Sequence, residues 1–293
     1  MNITFFFMTQ KAYDCLPVIK RLNKTVNPLV VIGQDPSVEN DYSKGMVSYC
    51  EEHNIAYCLK QDYPNDNQAE YAVAIGWRWM LTNLDCELIV FHDSLLPKYR
   101  GFNPLVSALI NGEPEVGVTA LKANLEFDAG DIVGQQSVHI SYPIKIQQAI
   151  TLVSRCYQDL LDRVLISMLN ENLSYQAQDT SLATYSVWRD ERDYQINWSD
   201  DARKIARFVD AIGYPYKGAQ TTINGEPCHI TDVEVVEPFK VENRVAGKVM
   251  FIKAGQPVVL CGNGAIKIIN GHYEDQRPLV PLEKFRSRFG DEK

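Results

Sequence analysis

One histidine in the sequence stands where a catalytic group is expected. Residues 87–91 read Glu-Leu-Ile-Val-Phe, a short apolar run that predicts a buried strand, and His92 follows it directly. In open α/β sheets, ligands bind beyond the carboxyl ends of the strands. An imidazole with an ordinary pKa of about 6.5 can exchange protons near neutral pH. His92 is therefore a candidate general acid or base. A lone histidine at a strand end is more often structural, so the neighbouring motifs have to decide.

The elements that must position His92 alternate along the first 170 residues. Short apolar runs that predict strands are separated by stretches in which apolar residues recur at helical spacing. The predicted strands are 2–8, 29–32, 55–59, 71–75, 87–91, 117–120 and 132–139, and the predicted helices are 10–22, 43–53 and 144–170. This alternation indicates an α/β fold with a doubly wound, mostly parallel sheet.

The pattern changes in the last third of the chain. Residues 171–199 are polar and irregular, and 200–212 return to helical spacing before Gly213. Short β-like runs separated by Asn-Gly and Gly-x-Gly turns then follow: 218–223, 228–236, 247–252, 257–261 and 264–269. We therefore expect a catalytic domain over 1–180, a linker over 181–199 and a smaller β-rich, barrel-like domain over 200–293.

Composition excludes several classes of protein. The net charge of −8, from 29 basic and 37 acidic residues, argues against a nucleic-acid partner, which needs a basic surface. Seven scattered cysteines without a C-x-x-C pair indicate reduced thiols in a cytoplasmic protein. The five histidines lack the spacing of metal ligands, so no metal is predicted. No apolar run is long enough to span a membrane, and no Gly-x-Gly-x-x-Gly loop suggests a dinucleotide.

Three motifs in order identify a family resemblance. His-Asp-Ser-Leu-Leu-Pro-Lys-Tyr-Arg-Gly at 92–101 resembles the His-x-Ser-Leu-Leu-Pro-x-x-x-Gly signature of the folate-dependent formyltransferases. Gly-Val-Thr at 117–119 is similar to a strand of that family, and Phe-Asp-Ala-Gly-Asp-Ile at 127–132 to its Asp-x-Gly loop. Gly-Trp-Arg-Trp-Met-Leu at 76–81 falls where the family holds the pterin of its donor. The resemblance covers roughly residues 1–170.

The resemblance implies roles for particular residues. His92 would be the acid or base and Asp128 its orienting partner, with Asp131 a competing carboxylate of more structural character. The donor would be N10-formyltetrahydrofolate, used as a co-substrate and held by Arg78, Trp79, Met80 and Leu81. Apolar side chains there would form walls while backbone groups read the pterin edge. The candidate substrate-binding residues follow the histidine: Ser94, Lys98, Arg100 and Asn103.

One position departs from the family pattern. The family carries Asn-x-His, and its Asn helps to stabilise the oxyanion of the tetrahedral intermediate, but here that position is Val90. A valine side chain cannot donate a hydrogen bond, and losing one oxyanion donor typically costs ~10²–10³ in turnover. Asn103 or a protonated His92 could supply the missing donor. Alternatively, the chemistry is altered or lost.

The later motifs favour one branch of the family. Ser-Val-Trp-Arg-Asp at 186–190, Asp-Tyr-Gln-Ile-Asn-Trp at 193–198 and Tyr-Pro-Tyr-Lys-Gly-Ala at 214–219 resemble the sugar-nucleotide N-formyltransferases. That resemblance implies a nucleotide-linked amino sugar as acceptor, a role in bacterial polysaccharide assembly and a homodimer. Residues 200–293 hold 14 basic and 13 acidic residues, which disfavours a methionyl-tRNA formyltransferase. A transferase using an acyl-CoA and a non-catalytic ligand binder stay open, because of Val90.

Overall fold

The computed structural model describes residues 1–36, 38, 40–64, 68–82 and 84–290. The chain forms two compact units. Unit 1 comprises 1–105, 114–140 and 148–187, and unit 2 comprises 106–113, 141–147 and 188–293. The chain leaves unit 1 for the last time after residue 187, which lies inside the segment predicted as a linker.

Unit 1 is built on a seven-stranded sheet with the order β3-β2-β1-β4-β5-β7-β8. Strands β1 to β5 pair in parallel, whereas β7 is antiparallel to both β5 and β8. A separate two-stranded pair joins β6 to β9. The strands are β1 (Asn2–Phe7), β2 (Asn27–Ile32), β3 (Ala56–Leu59), β4 (Tyr71–Ile75), β5 (Glu87–His92), β6 (Arg100–Gly101), β7 (Glu115–Lys122), β8 (Ile132–His139) and β9 (Tyr185–Ser186).

The central strands are apolar along their whole length because both faces of the sheet are covered. In β1, residues from Ile3 to Phe7 are all buried, as expected for a parallel strand between two layers. The helices are α1 (Thr9–Leu22), α2 (Ser43–Glu52), α3 (Pro104–Asn111), α4 (Ile146–Leu169) and α5 (Ala202–Ala211). Helix α4 buries Ala149, Val153, Cys156 and Leu160 at the predicted helical spacing.

The strand order places a topological switch point between β1 and β4. From β1 the chain builds outward through β2 and β3, then returns to the other side of β1 with β4 and β5. Ile75 pairs with both Phe7 and Phe91, so the carboxyl ends of β1, β4 and β5 lie side by side. His92 ends β5 at this edge, where folds of this type bind ligands.

Unit 2 contains a five-stranded antiparallel sheet with the order β10-β11-β14-β13-β12. Its strands are β10 (Ala219–Ile223), β11 (Glu226–Val235), β12 (Val249–Lys253), β13 (Gln256–Leu260) and β14 (Ala265–Tyr273). The segment 287–290 bonds to both edges of this sheet. The N–H of Gly290 donates to Thr222 O at 3.0 Å, and that of Phe289 donates to Gly247 O at 2.7 Å. The same segment therefore links the β10 edge to the start of β12, which gives the sheet its barrel-like closure.

The structure confirms the predicted α/β fold with a mostly parallel sheet and a separate β-rich C-terminal part. The predicted strands and helices appear with their ends displaced by a few residues. Helix α3, the β6–β9 pair and the closing segment 287–290 were not predicted. No helix within the described residues is both long and apolar enough to cross a membrane.

Candidate active site

His92 and Asp128 lie together at the carboxyl edge of the sheet. The His92 Nδ1 atom is 3.4 Å from Asp128 Oδ1, and both side chains are largely buried. The other ring nitrogen, Nε2, is 2.8 Å from the carbonyl oxygen of Tyr99. A carbonyl can only accept, so this contact assigns the ring proton of a neutral imidazole to Nε2. Nδ1 is then the nitrogen that can take up a proton beside the carboxylate.

The loop that carries Asp128 is fixed by several hydrogen bonds. Asp128 has a left-handed backbone with φ 53°, which costs free energy for a non-glycine residue and often marks a functional site. Its Oδ2 accepts a hydrogen bond from the Gly101 N–H at 2.8 Å. The Gln178 side-chain amide donates to the carbonyls of Asp128 and Gly130, at 2.8 and 2.7 Å. Gly130 is required because a Cβ there would lie 1.8 Å from Lys122 O.

The predicted substrate-binding residues after His92 differ in their surroundings. Ser94 is buried, and its hydroxyl donates to Lys98 O at 2.7 Å, closing the loop. Arg100 is also buried, and its Nε and an Nη atom donate to Gln178 Oε1 at 3.1 and 2.7 Å. Lys98 is exposed, and Asn103 is half-buried just before α3. Substrate binding by these four residues stays a prediction, and Lys98 is the one whose charge is most accessible.

The segment predicted to hold the pterin follows β4 directly at the switch point. The Trp77 and Trp79 rings meet edge to face with centroids 5.0 Å apart. Lys60 Nζ lies 3.7 Å above the Trp79 ring. Arg78 forms an ion pair with Asp35, and burial lowers the pKa of its guanidinium. Met80 is exposed, whereas Leu81 packs against a buried cluster around Phe6.

Val90 packs into that same apolar cluster. The cluster around Phe6 and Val31 is joined by Trp77, Leu81 and Val90. Because side chains alternate along a strand, Val90 lies on the same face of β5 as His92. The apolar residue therefore extends the wall of the predicted pterin segment toward the histidine.

A groove opens beside the Asp128 loop. It has a volume of about 410 Å³ and is lined by Arg100, Gly101, Phe102, Glu126, Phe127, Ala129, Tyr185 and Ser186. Three aromatic side chains in it are strongly exposed: Phe102 at 47%, Phe127 at 64% and Tyr185 at 72%. Exposed rings at a groove offer flat apolar faces on which another ring can stack.

Comparisons with known proteins decide the family. The sequence model for formyl transferase matches residues 61–156, and that for the formyl transferase C-terminal domain matches 190–288. The chain belongs to the formyl transferase family. The resemblance found in the motifs at 92–101 and 127–132 is thereby confirmed.

Individual formyl transferase relatives point in two directions. The methionyl-tRNA formyltransferase of Lactococcus lactis subsp. lactis is 33% identical over 178 residues, which are 61% of this chain and 55% of that protein. An N-formyltransferase from Helicobacter canadensis, solved with folinic acid and dTDP-3-aminofucose, has a TM-score of 0.71 at 16% identity and covers 91% of this chain and 98% of its own. The methionyl-tRNA formyltransferase from Clostridium thermocellum has a TM-score of 0.57 at 18% identity, over 80% and 94%. These two structural likenesses show the fold.

Sequence reasoning missed several residues that shape this formyl transferase site. Gln178 comes from the irregular polar stretch, and no motif marks it. Lys11 and Tyr157 both contact Asp93, the residue after His92. The competing carboxylate of Asp131 is exposed, and Lys122 N donates to the backbone oxygen of Asp131 at 2.9 Å. Among the described residues, no group of three or more His, Cys, Asp or Glu is placed to hold a metal ion.

Proposed function

We propose that this chain is an N-formyltransferase that moves a formyl group from N10-formyltetrahydrofolate to the amine of a nucleotide-linked amino sugar. The observation that carries the proposal is the His92–Asp128 pair at the carboxyl edge of the sheet, within the family motifs. The chain spans only 55% of the Lactococcus relative, so activity is inferred from the site as well as from kinship.

The residues after β4 fit a flat, polar ring. Within the described chain, Trp77 Nε1 is buried without a hydrogen-bond partner. No backbone–backbone hydrogen bond of the described residues involves 77–81. Buried donors are normally paired, so a ligand with acceptor atoms would complete this segment. Trp77, Trp79 and Leu81 would supply the walls, and the donor would supply the electrophilic formyl carbon.

The protein's part in the reaction is to move a proton and to exclude water. With its proton on Nε2 held by Tyr99 O, the His92 ring takes the proton of the attacking amine on Nδ1. Asp128 Oδ1, at 3.4 Å, then stabilises the positive charge of the protonated ring. His92 subsequently returns the proton to the leaving nitrogen.

Two further observations support a nucleotide-linked acceptor. The exposed rings of Phe102, Phe127 and Tyr185 line the groove beside Asp128, where a nucleobase could stack. Residues 200–293 carry nearly balanced charge, with 14 basic and 13 acidic residues. A tRNA acceptor would favour a basic surface, since phosphate neutralisation dominates such binding.

A second candidate is methionyl-tRNA formyltransferase. Its specific support is the sequence identity of 29–37% to relatives bearing that name. The two candidates share the donor and the proton transfer, and they differ only in the acceptor.

The test supplies both acceptors to the same protein. Purified chain and N10-formyltetrahydrofolate would be mixed with a panel of nucleotide-linked amino sugars, and separately with methionyl-tRNA. Products would be followed by mass, with His92→Asn as the control. A gain of one formyl group on a sugar supports the proposal, and formylated methionyl-tRNA replaces it with the second candidate. Folate binding without any product would indicate a ligand binder, and acetyl-CoA binding without folate binding would indicate a different donor.

A further inference from the structure

Three polar side chains from distant parts of the chain meet beside the catalytic histidine. The Asp93 carboxylate pairs with Lys11 Nζ through Oδ2 and accepts a hydrogen bond from the Tyr157 hydroxyl through Oδ1. Lys11 comes from the first turn of α1 and Tyr157 from the middle of α4. Lys11 and Tyr157 are 9% and 1% exposed and the Asp93 side chain is 20% exposed, so the contacts are largely shielded from water.

This cluster includes or contacts the residues on both sides of His92. Tyr157 stacks on the ring of Phe91, with centroids 5.8 Å apart and planes 29° apart. Tyr157 also bonds to Asp93, so the residues before and after His92 share one partner. Since strand side chains alternate, Phe91 lies on the opposite face of β5 from His92. The cluster therefore packs on the face of β5 opposite His92. The His92 ring contacts Asp128 from the other face.

The charges of the cluster depend on one another. Burial alone would raise the pKa of the Asp93 carboxyl, but Lys11, the Tyr157 hydroxyl and the nearby His92 together lower it below its usual range. Burial and Asp93 raise the pKa of Tyr157, with smaller effects from Cys15 and Asp128. Lys11 is the largest of the effects that lower the pKa of Asp93, so its removal should weaken the ionised form of the carboxyl most.

We propose that Lys11, Asp93 and Tyr157 form a positioning clamp that fixes the His92 backbone for proton transfer. The kinetic part of this inference rests on the proposed function. The clamp contacts Phe91 and includes Asp93, the residues on either side of His92, so we expect it to act through the position of the His92 ring. A misplacement on the order of 1 Å can cost ~10²-fold in rate, so the clamp should affect turnover more than substrate binding.

The test removes each arm of the clamp separately. Lys11→Met should lower kcat by about 10- to 100-fold with KM little changed, and Lys11→Arg should restore most of that loss. Burial then raises the pKa of the unpaired Asp93, so kcat of Lys11→Met relative to wild type should fall further as the pH rises and the carboxyl ionises. The double variant Lys11→Met/Asp93→Asn should lose this pH dependence, and Tyr157→Phe should show a smaller loss without it.

A matched control and a second readout keep the inference separate from the proposed function. Arg21→Met removes an exposed arginine of α1 that pairs with Asp162 of α4, the two helices that also supply Lys11 and Tyr157, and it should leave kcat unchanged. The NMR signal of the His92 ring, assigned by its loss in His92→Asn, should move or broaden in Lys11→Met and not in Arg21→Met. Unchanged kcat and an unchanged His92 signal in both Lys11→Met and Tyr157→Phe would overturn the clamp. If wild type transfers no formyl group, the proposed function fails, while the NMR comparison still tests the clamp.

Discussion

Some residues with a left-handed backbone conformation have different explanations in the two units. In unit 2, Asn224 and Ala254 have positive φ, and each is followed by a glycine in the two-residue turn of a hairpin. Such turns require positive φ at both positions. In unit 1, Tyr99, Asn103 and Asp128 also have positive φ, but no hairpin turn explains them. Tyr99 and Asp128 instead contact the two nitrogens of His92.

The comparison shows that residues with positive φ serve different purposes in the two units. Backbone strain is a sign of function where it surrounds a polar pair and no hairpin turn requires it. Strain inside hairpin turns serves the sheet itself. Changes at the unit 1 site should therefore alter turnover more than stability, and changes in the unit 2 sheet should do the reverse.

The largest effect is expected from removing the proposed proton carrier or its partner. His92→Asn and Asp128→Asn should each lower kcat by about 10²–10⁴-fold, the range typical for a positioned acid–base group. Their unfolding temperatures should stay close to that of wild type. Steady-state kinetics and thermal unfolding check this together. Rates like wild type in both variants would show that His92 and Asp128 do not transfer a proton, and that the backbone strain around them has another cause.

The next largest effect concerns closure of the unit 2 sheet. Phe289 is 2% exposed, and its ring lies 5.4 Å from that of Trp198. Phe289→Ala should lower the free energy of unfolding by about 3–5 kcal/mol, with turnover of the folded protein little changed. Phe285→Ala, a change at a 53% exposed phenylalanine just before that segment, is the matched control. Equal stability of the two variants in denaturant would contradict closure by 287–290.

Val90→Asn tests whether the apolar wall in unit 1 replaced a catalytic donor. Val90 packs with Trp77 and Leu81 in an apolar cluster, so an amide there would lack a partner and should cost about 1–3 kcal/mol of stability. We expect no gain in kcat, because Asn103 or a protonated His92 would already supply the oxyanion donor. Denaturant unfolding and kinetics measure both quantities. A tenfold rise in kcat would instead mean that the native site lacks an oxyanion donor.

The sequence predicted the parts of the fold that depend on local pattern. The buried strands before His92 and after Pro28 are visible as apolar runs, and the helix 144–170 as a periodic face. Helix α3 was not predicted, because its eight residues are too few for a helical period to stand out after the motif loop. The clamp of Lys11, Asp93 and Tyr157 was missed for another reason. Its members are 82 and 64 residues apart along the chain, and only tertiary packing brings them together.

The site was predictable only where its residues fall in motifs. His92 and Asp128 could be paired because both fall in recognisable motifs. The partners that fix them could not, since Gln178 lies in a stretch without periodicity and Tyr99 contributes a backbone carbonyl. Backbone carbonyls carry no sequence signal, because every residue has one.

Trp77→Phe tests the open segment of unit 1, which has few internal bonds. The change keeps an apolar ring and removes the buried Nε1–H that lacks a partner among the described residues. If this N–H donates to the donor, its loss should weaken donor binding by about tenfold, since one hydrogen bond is worth roughly 1–1.5 kcal/mol. Titration with 5-formyltetrahydrofolate, followed by fluorescence, measures the change. Unaltered affinity would show that the N–H finds its partner within the protein.

The smallest effect is expected from a histidine pair in unit 2. His229 and His272 are cross-strand partners whose rings stack 5.1 Å apart. Burial and then the neighbouring His272 lower the pKa of His229, against smaller opposing effects from Glu274 and the Lys217 backbone. The unfolded chain has the higher pKa, about 6.5. His229 therefore contributes full stability above that pH and loses it as the pH falls through its lower folded-state pKa.

His229→Gln removes this titration and should flatten the acid side of the stability curve. The expected difference is at most about 1 kcal/mol, the size of one partly screened charge contact. Thermal unfolding from pH 8 to pH 5 in both proteins measures it, and the three histidines outside this pair cancel in the difference. Turnover at pH 8 should be unchanged. At that pH His229 is neutral, so replacing it removes no charge from the paired strands of unit 2. Parallel curves for the two proteins would show that the stacked pair carries no proton-linked repulsion. His229 would then differ from His92, the proposed proton carrier of unit 1, in its position alone.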